Sequence, residues 1–137
     1  VKVDGEVVGE IGRGVCALIG VGQDDAESDG IWLADKIVKA RFFSDEQDKM
    51  NLSVRDVGGS LLAVSQFTLY GDLRGGNRPS FGSAMEPGRA LELFEGVCER
   101  IRASGVPVQT GRFRAHMGVE SLNEGPVTLL LDSKKTF

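Results

Sequence analysis

With a single histidine and two cysteines in 137 residues, the chain has little from which to build most catalytic centres. His116 stands far in sequence from Cys16 and Cys98, so no zinc-type ligand spacing exists and no metal is expected. No cofactor is expected either. Two isolated cysteines cannot form a disulfide framework. Both sit among apolar residues and are expected as buried, reduced thiols, which points to the cytoplasm. A histidine-based triad would depend on His116 alone, and a lone histidine in a small domain is more often structural than a general base. No apolar run approaches the length of a membrane span, and no charged, then apolar leader opens the chain. An excess of positive charge is also missing. The net charge is −4, which argues against a protein that coats duplex nucleic acid. A local grip on an RNA end remains open, because Arg74, Arg78 and Arg89 cluster in sequence and Arg112 and Arg114 form a second basic pair.

Apolar residues make up 41% and charged residues 26%, a balance that suits one folded domain over residues 1–137. The chain begins in strand-like sequence without Met, so a short first strand is expected before Val1. Asp4-Gly5 inside the alternating stretch from Val1 to Ile11 predicts a hairpin. The continuous apolar run from Val15 to Val21 predicts a strand buried on both faces, and Leu61 to Leu69 predicts another. Asp24 to Ala40 carries Ile31, Ala34, Ile37 and Val38 at helical spacing, with Asp24 and Glu27 placed as a capping box. Arg41 to Phe43 reads as a short strand and Asp45 to Asn51 as a polar loop. Pro87 to Ser104 predicts a second helix, opened by Pro87 and closed by Gly105. Val108 to Phe113, His116 to Ser121 and Val127 to Asp132 read as three closing strands. The expected fold is mixed α/β, a mostly antiparallel sheet or partly closed β-barrel covered by two main helices. Between them, Tyr70 to Met85 forms a long Gly-, Asn-, Pro- and Ser-rich loop, long enough to suggest function.

Two stretches carry unusual chemistry. In Val64-Ser65-Gln66-Phe67-Thr68-Leu69-Tyr70, polar side chains interrupt an apolar strand, and a polar group inside a sheet needs a partner. The plain reading is a half-buried strand with satisfied side chains; the loop that follows favours a pocket lining. In Asn123-Glu124-Gly125-Pro126-Val127-Thr128, a Gly-Pro pair stands at the mouth of a strand. Its plain reading is a hairpin turn. Its functional reading is a rigid bend that aims carbonyl oxygens in a fixed direction, with Gly125 allowing close approach.

Together these two stretches resemble the paired signatures of the D-aminoacyl-tRNA deacylase family. The likeness extends to Val3-Asp4-Gly5-Glu6, Ile11-Gly12-Arg13-Gly14, Gly76-Asn77-Arg78-Pro79-Ser80-Phe81 and Gly111-Arg112-Phe113. The resemblance implies a cytoplasmic homodimer acting on the acceptor end of aminoacyl-tRNA. It would hydrolyse the ester of a D-amino acid, and of glycine mischarged onto alanine tRNA. It implies a cis Gly125-Pro126 peptide that enters the partner subunit's site and rejects L residues by collision. Ser65, Gln66, Phe67 and Thr68 would line the pocket, with backbone N–H groups near Phe67 and Thr68 holding the scissile end. Phe113 would offer main-chain contacts and Met117 would pack near the terminal adenosine. The catalysis implied is assisted by the tRNA's 2′-hydroxyl. In the family a longer first strand bears an arginine that braces the Gly-Pro loop, and that segment is not among residues 1–137.

Two alternatives stand beside this reading. One is a protein-nucleophile esterase using Thr68 or Ser65. The other is a non-catalytic RNA-end binding domain of the same fold.

Overall fold

The computed structural model describes residues 1–137. Strands β1 (Lys2–Val3) and β2 (Glu6–Val7) pair antiparallel across Asp4-Gly5. Both turn residues take positive φ, 49° and 80°, as a two-residue hairpin of this type requires. Strand β3 (Gly14–Ile19) follows, then helix α1 (Glu27–Lys39). The short strands β4 (Phe43–Ser44) and β5 (Met50–Leu52) pair with each other, so the expected polar loop holds a small hairpin. Strand β6 (Ser60–Ser65), helix α2 (Pro87–Ala103) and strand β7 (Val108–Thr110) complete the set.

The central sheet has the order β3-β6-β7, and both of its pairings are parallel. This corrects the expected antiparallel sheet, and the strands do not close into a barrel. The crossovers explain the direction. Helix α2 carries the chain from the end of β6 back to the start of β7, and α1 lies in the connection from β3 to β6. Both helices pack on one face. Ile19, Leu61, Ala63 and Val108 meet Ala34, Ile37 and Val38 of α1 and Phe94, Val97, Cys98 and Ile101 of α2 in the main core. A Cβ on Gly30 would stand 3.2 Å from Val97 Cγ2, so this glycine sets how closely the helices approach. Arg100 grips Asp35 with two hydrogen bonds, 2.9 and 3.1 Å, across their outer edge.

The opposite sheet face is only partly covered. Leu62 and Val64 pack with Val1, Val8, Ile11 and Met117. Leu18 stays 47% exposed and Cys16 is exposed as well, which corrects its expected burial; Cys98 is buried in the main core. Helix α1 starts at Glu27, later than expected. Asp29, not Glu27, reaches back to the N–H of Ala26 at 2.8 Å, while Asp25 accepts from the N–H of Gly22. Helix α2 has the predicted bounds to within a residue, with Glu86 accepting from the N–H groups of Gly88 and Arg89 and Gly105 leaving at φ 94°.

The three closing strands are mostly not formed. Only β7 is a strand. Gly118 makes one isolated bridge to Lys2, and Val127 to Asp132 pairs with nothing in the chain. From Val119 to Leu131 no residue makes a backbone–backbone hydrogen bond. The strand-like sequence there meets no partner edge among residues 1–137.

Candidate functional site

Because β3, β6 and β7 run parallel, the segments that leave them emerge at one edge of the sheet. Open parallel sheets bind ligands at that edge. Three segments start there: Gly20 to Gln23 after β3, Gln66 to Tyr70 after β6, and Gly111 to Arg114 after β7.

The β6 strand ends at Ser65, earlier than the sequence suggested. The N–H of Gln66 still bonds the Ile19 carbonyl at 2.8 Å, and then Phe67–Tyr70 wind into a single 3₁₀ turn. The polar residues that interrupt the apolar run thus mark the change from strand to turn. Ser65 and Gln66 are half-buried, and Phe67 and Thr68 are exposed. The Gln66 side-chain amide donates to Thr68 Oγ1. The N–H groups of Phe67 and Thr68 open the turn, where a helix offers its first donors no acceptor of its own. Phe67 meets Phe81 edge-on, ring centres 5.0 Å apart, which fastens the long loop to the turn. That loop is itself pinched by two backbone bonds between Asp72 and Ser80.

Tyr70 closes the turn, and sequence reasoning assigned it no role. Its ring lies over the backbone after β3. A Cβ on Gly20 would come within 3.0 Å of the ring, and one on Gly22 within 2.8 Å of the hydroxyl. The Gly-Val-Gly pattern at the end of β3 was the available signal. Burial raises the Tyr70 pKa above its ordinary value, and the nearby carboxylates of Asp25 and Asp132 add to the rise.

Phe113 is half-buried beyond β7. Met117 packs on the Leu62–Val64 face, and its Sδ would be 2.5 Å from a Cβ on Gly111, so this glycine gives it room. His116 is exposed and has no side-chain hydrogen bond, so nothing prepares it as a base. The basic residues divide in two groups. Arg74 pairs with Asp72, whose carboxyl is held down at about 2 by the hydrogen bonds from Arg74, and Arg89 pairs with Glu92. Arg78, Arg112 and Arg114 make no ion pair.

The Gly125-Pro126 peptide is cis, and both residues are exposed. Asn123, which sequence reasoning also left without a role, clasps the bend: its Oδ1 accepts from the N–H of Val127 at 2.9 Å and its Nδ2 donates to Thr128 Oγ1 at 2.8 Å. Gly125 sits at φ 131°, and a Cβ there would lie 2.9 Å from Val127 Cγ2. No hydrogen bond joins this bend to Ser65–Thr68 of the same chain. The structure therefore brings the Gln66–Thr68 turn and the long loop together and leaves the Gly-Pro bend apart from them.

Beyond the bend, the chain returns to the body at Leu131 and Lys134. Leu131 lines a small cavity of about 70 Å³ with Ile19, Leu33, Leu93, Val97 and Tyr70. Lys134 Nζ then bonds Asp29 at 3.0 Å and lies 3.6 Å from Asp25. Asp29 has a lowered pKa, first from the N–H of Ala26 and also from Lys134.

The chain matches the family described as D-Tyr-tRNA(Tyr) deacylase over residues 1–132. It is 60% identical to the D-aminoacyl-tRNA deacylase of Koribacter versatilis (strain Ellin345), over all of this chain and 92% of that protein. It is 54% identical to the D-aminoacyl-tRNA deacylase of Thermotoga petrophila (strain ATCC BAA-488 / DSM 13995 / JCM 10881 / RKU-1), with the same coverage. Among solved structures, one described as c-Myc DNA Unwinding Element Binding Protein superposes with a TM-score of 0.87 at 37% identity, over 93% of this chain and 87% of the other. A probable eukaryotic D-amino acid tRNA deacylase shares the fold alone, with a TM-score of 0.62 at 16% identity over 79% and 78% of the two chains. On its family match and its close relatives, the chain belongs to the D-aminoacyl-tRNA deacylase family.

Proposed function

We propose that residues 1–137 act as one tRNA-editing unit that hydrolyses the ester of D-aminoacyl-tRNA in the cytoplasm, releasing the free D-amino acid and tRNA. The observation that carries the mechanism is the hydrogen bond from the Gln66 amide to Thr68 Oγ1. A serine or threonine nucleophile needs a base that accepts its proton. Here the side chain beside Thr68 is the Gln66 amide, and an amide is no base whichever end it presents. Thr68 is thus held in place and not activated. The proton transfers then fall to the substrate, whose 2′-hydroxyl stands beside the ester on the terminal adenosine. Water adds to the ester carbonyl, the bond to the 3′-oxygen breaks, and that oxygen leaves with a proton. The protein contributes orientation and backbone donors from Phe67 and Thr68 for the oxygen that gains charge.

In this reading Ser65, Gln66, Phe67 and Thr68 line the pocket, and Phe113 and Met117 border the adenosine. Arg78, Arg112 and Arg114, free of carboxylate partners, face the phosphates of the acceptor end. Gly125 and Pro126 reject L-aminoacyl-tRNA. Their carbonyls crowd the side of the α-carbon where an L side chain projects, so discrimination comes from collision with the wrong substrate. Glycine, with no side chain to collide, is hydrolysed too, including when it is misplaced on alanine tRNA.

The bend works in the partner's pocket, so the active form is a homodimer. Three observations support this. No hydrogen bond ties the bend to its own pocket. Leu122, Leu129 and Leu130 are 92%, 58% and 73% exposed. Leu18 and Cys16 leave a parallel sheet open on one face, where such sheets are normally covered.

The test is release of amino acid from D-tyrosyl-tRNA and L-tyrosyl-tRNA at equal enzyme concentration, beside sedimentation velocity. Rapid D release with L untouched, from a dimer, is expected. Release of both removes the chiral filter, and release of neither leaves a non-catalytic RNA-end binding domain. A fully active monomer overturns the cross-subunit arrangement.

A further inference from the structure

Among residues 1–137, the segment that carries Gly125 and Pro126 makes no backbone–backbone hydrogen bond between Val119 and Leu131. Its one main-chain bond is the local one from the N–H of Val127 to Asn123, yet a filter that works by collision must not drift. After the bend, Leu131 packs into the body and Lys134 makes the first polar attachment to it. The ammonium group bonds Asp29 Oδ2 at 3.0 Å and the Asp24 carbonyl at 3.4 Å, and stands 3.6 Å from Asp25 Oδ1. These are not ordinary surface carboxylates. The side chains of Asp25 and Asp29 are only 14% and 17% exposed, and each already accepts a backbone N–H, from Gly22 and Ala26. A tight turn aligns the lysine for them, with the N–H of Lys134 on Asp132 Oδ1 at 2.9 Å and Lys135 at φ 56°.

The same carboxylates reach the other half of the site. Asp25 fixes Gly22, Gly22 lies under the hydroxyl of Tyr70, and Tyr70 ends the turn that contains Phe67 and Thr68. Leu131 enters the cavity beside Tyr70 from the tail side. One cluster therefore seats the hydrolytic turn of a subunit and anchors the arm that reaches toward its partner.

We propose that Lys134 is a positioning residue for chiral rejection: by clamping the tail onto Asp25 and Asp29 it fixes the reach of the Gly125-Pro126 arm. This rests on the cross-subunit filter proposed above. Without the clamp the arm gains slack, L substrates enter, and D substrates, which never touch the filter with a side chain, are hydrolysed nearly as before.

The experiment measures kcat and KM for D- and L-tyrosyl-tRNA, with melting temperature, for the parent protein and for Lys134→Ala, Lys134→Arg and Asp29→Asn. Lys134→Ala is expected to keep D turnover close to the parent while the D-to-L ratio drops about tenfold or more, since displacements near 1 Å change rates by up to about a hundredfold. Lys134→Arg is expected to restore the ratio, and Asp29→Asn to lower it in part. An unchanged ratio in Lys134→Ala overturns the proposal. So does a drop in D and L rates together that tracks a lowered melting temperature and that arginine does not rescue, because that is the pattern of a merely structural contact. A parent protein without D/L discrimination is a different failure, since it removes the filter itself.

Discussion

Replacing Gly22 by alanine tests whether Tyr70 holds the Phe67–Tyr70 turn, the proposed site of hydrolysis. The added Cβ would stand 2.8 Å from the Tyr70 hydroxyl and 3.0 Å from two ring carbons. Carbon atoms pack best at roughly 3.5–4.0 Å, so the ring must retreat by about 0.5–1 Å. Overpacking of this kind costs about 1–3 kcal/mol. Alanine itself restricts the unfolded chain and returns about 0.4–1 kcal/mol. The net expectation is a loss of about 1–2 kcal/mol, read as a melting temperature lower by roughly 3–8 °C for a domain of this size. The ring cannot move alone, because Tyr70 is the last residue of the turn that holds Phe67 and Thr68. Deacylation of D-tyrosyl-tRNA should therefore fall about tenfold or more in kcat. The decisive variant is the double change Gly22→Ala with Tyr70→Leu, in which the smaller side chain makes room. Its stability loss should be clearly less than the sum of the two single losses. A Gly22→Ala protein as stable and active as the parent, or strictly additive losses in the double variant, would refute the reasoning.

Three further outcomes are expected. Thr68→Ala should keep a substantial part of D-tyrosyl-tRNA turnover with an altered KM, whereas loss of essentially all turnover would identify Thr68 as a nucleophile. Gly125→Ala should release L-tyrosyl-tRNA that the parent leaves intact, and should lower the melting temperature by a few degrees at most, because alanine is strained at φ 131° in an exposed bend and its Cβ would lie 2.9 Å from Val127 Cγ2. The buried Cys98 thiol has its pKa pushed up by burial to about 11 from an ordinary 9.0. The unfolded chain thus loses this proton first as pH rises, so stability should decline from about pH 9 to about 11 by a component that is absent in Cys98→Ala, followed by denaturant unfolding at each pH.

Several elements are legible in the order of the amino acids alone. Asp4-Gly5 specifies the first hairpin because both positions must take positive φ, and Pro87 with Gly105 brackets α2. Strand direction is harder to read. The continuous apolar runs of β3 and β6 are what parallel strands look like, yet the many turn signals elsewhere favour antiparallel pairing. Turn residues report local reversals and say nothing about strands joined through a helix. Ser65 to Thr68 is legible as odd chemistry, and its 3₁₀ turn is not, since four residues carry no period. The roles of Tyr70, Asn123 and Lys134 stay hidden because each depends on a partner. Tyr70 needs two glycines some fifty residues earlier in the chain, and Lys134 needs carboxylates more than a hundred residues away.

The stretch from Val119 to Leu131, with no backbone–backbone hydrogen bond among residues 1–137, would make the proposed filter arm a reporter of assembly. In residues 1–137 without a partner its amide protons, that of Val127 apart, should exchange with solvent at nearly the rate of an unfolded peptide, and a protease should cut there first. Once a neighbouring edge pairs with it, both processes slow together. Chiral proofreading and resistance to degradation would then depend on the same association, so a subunit without its partner would be both the one unable to reject L substrates and the one most readily removed.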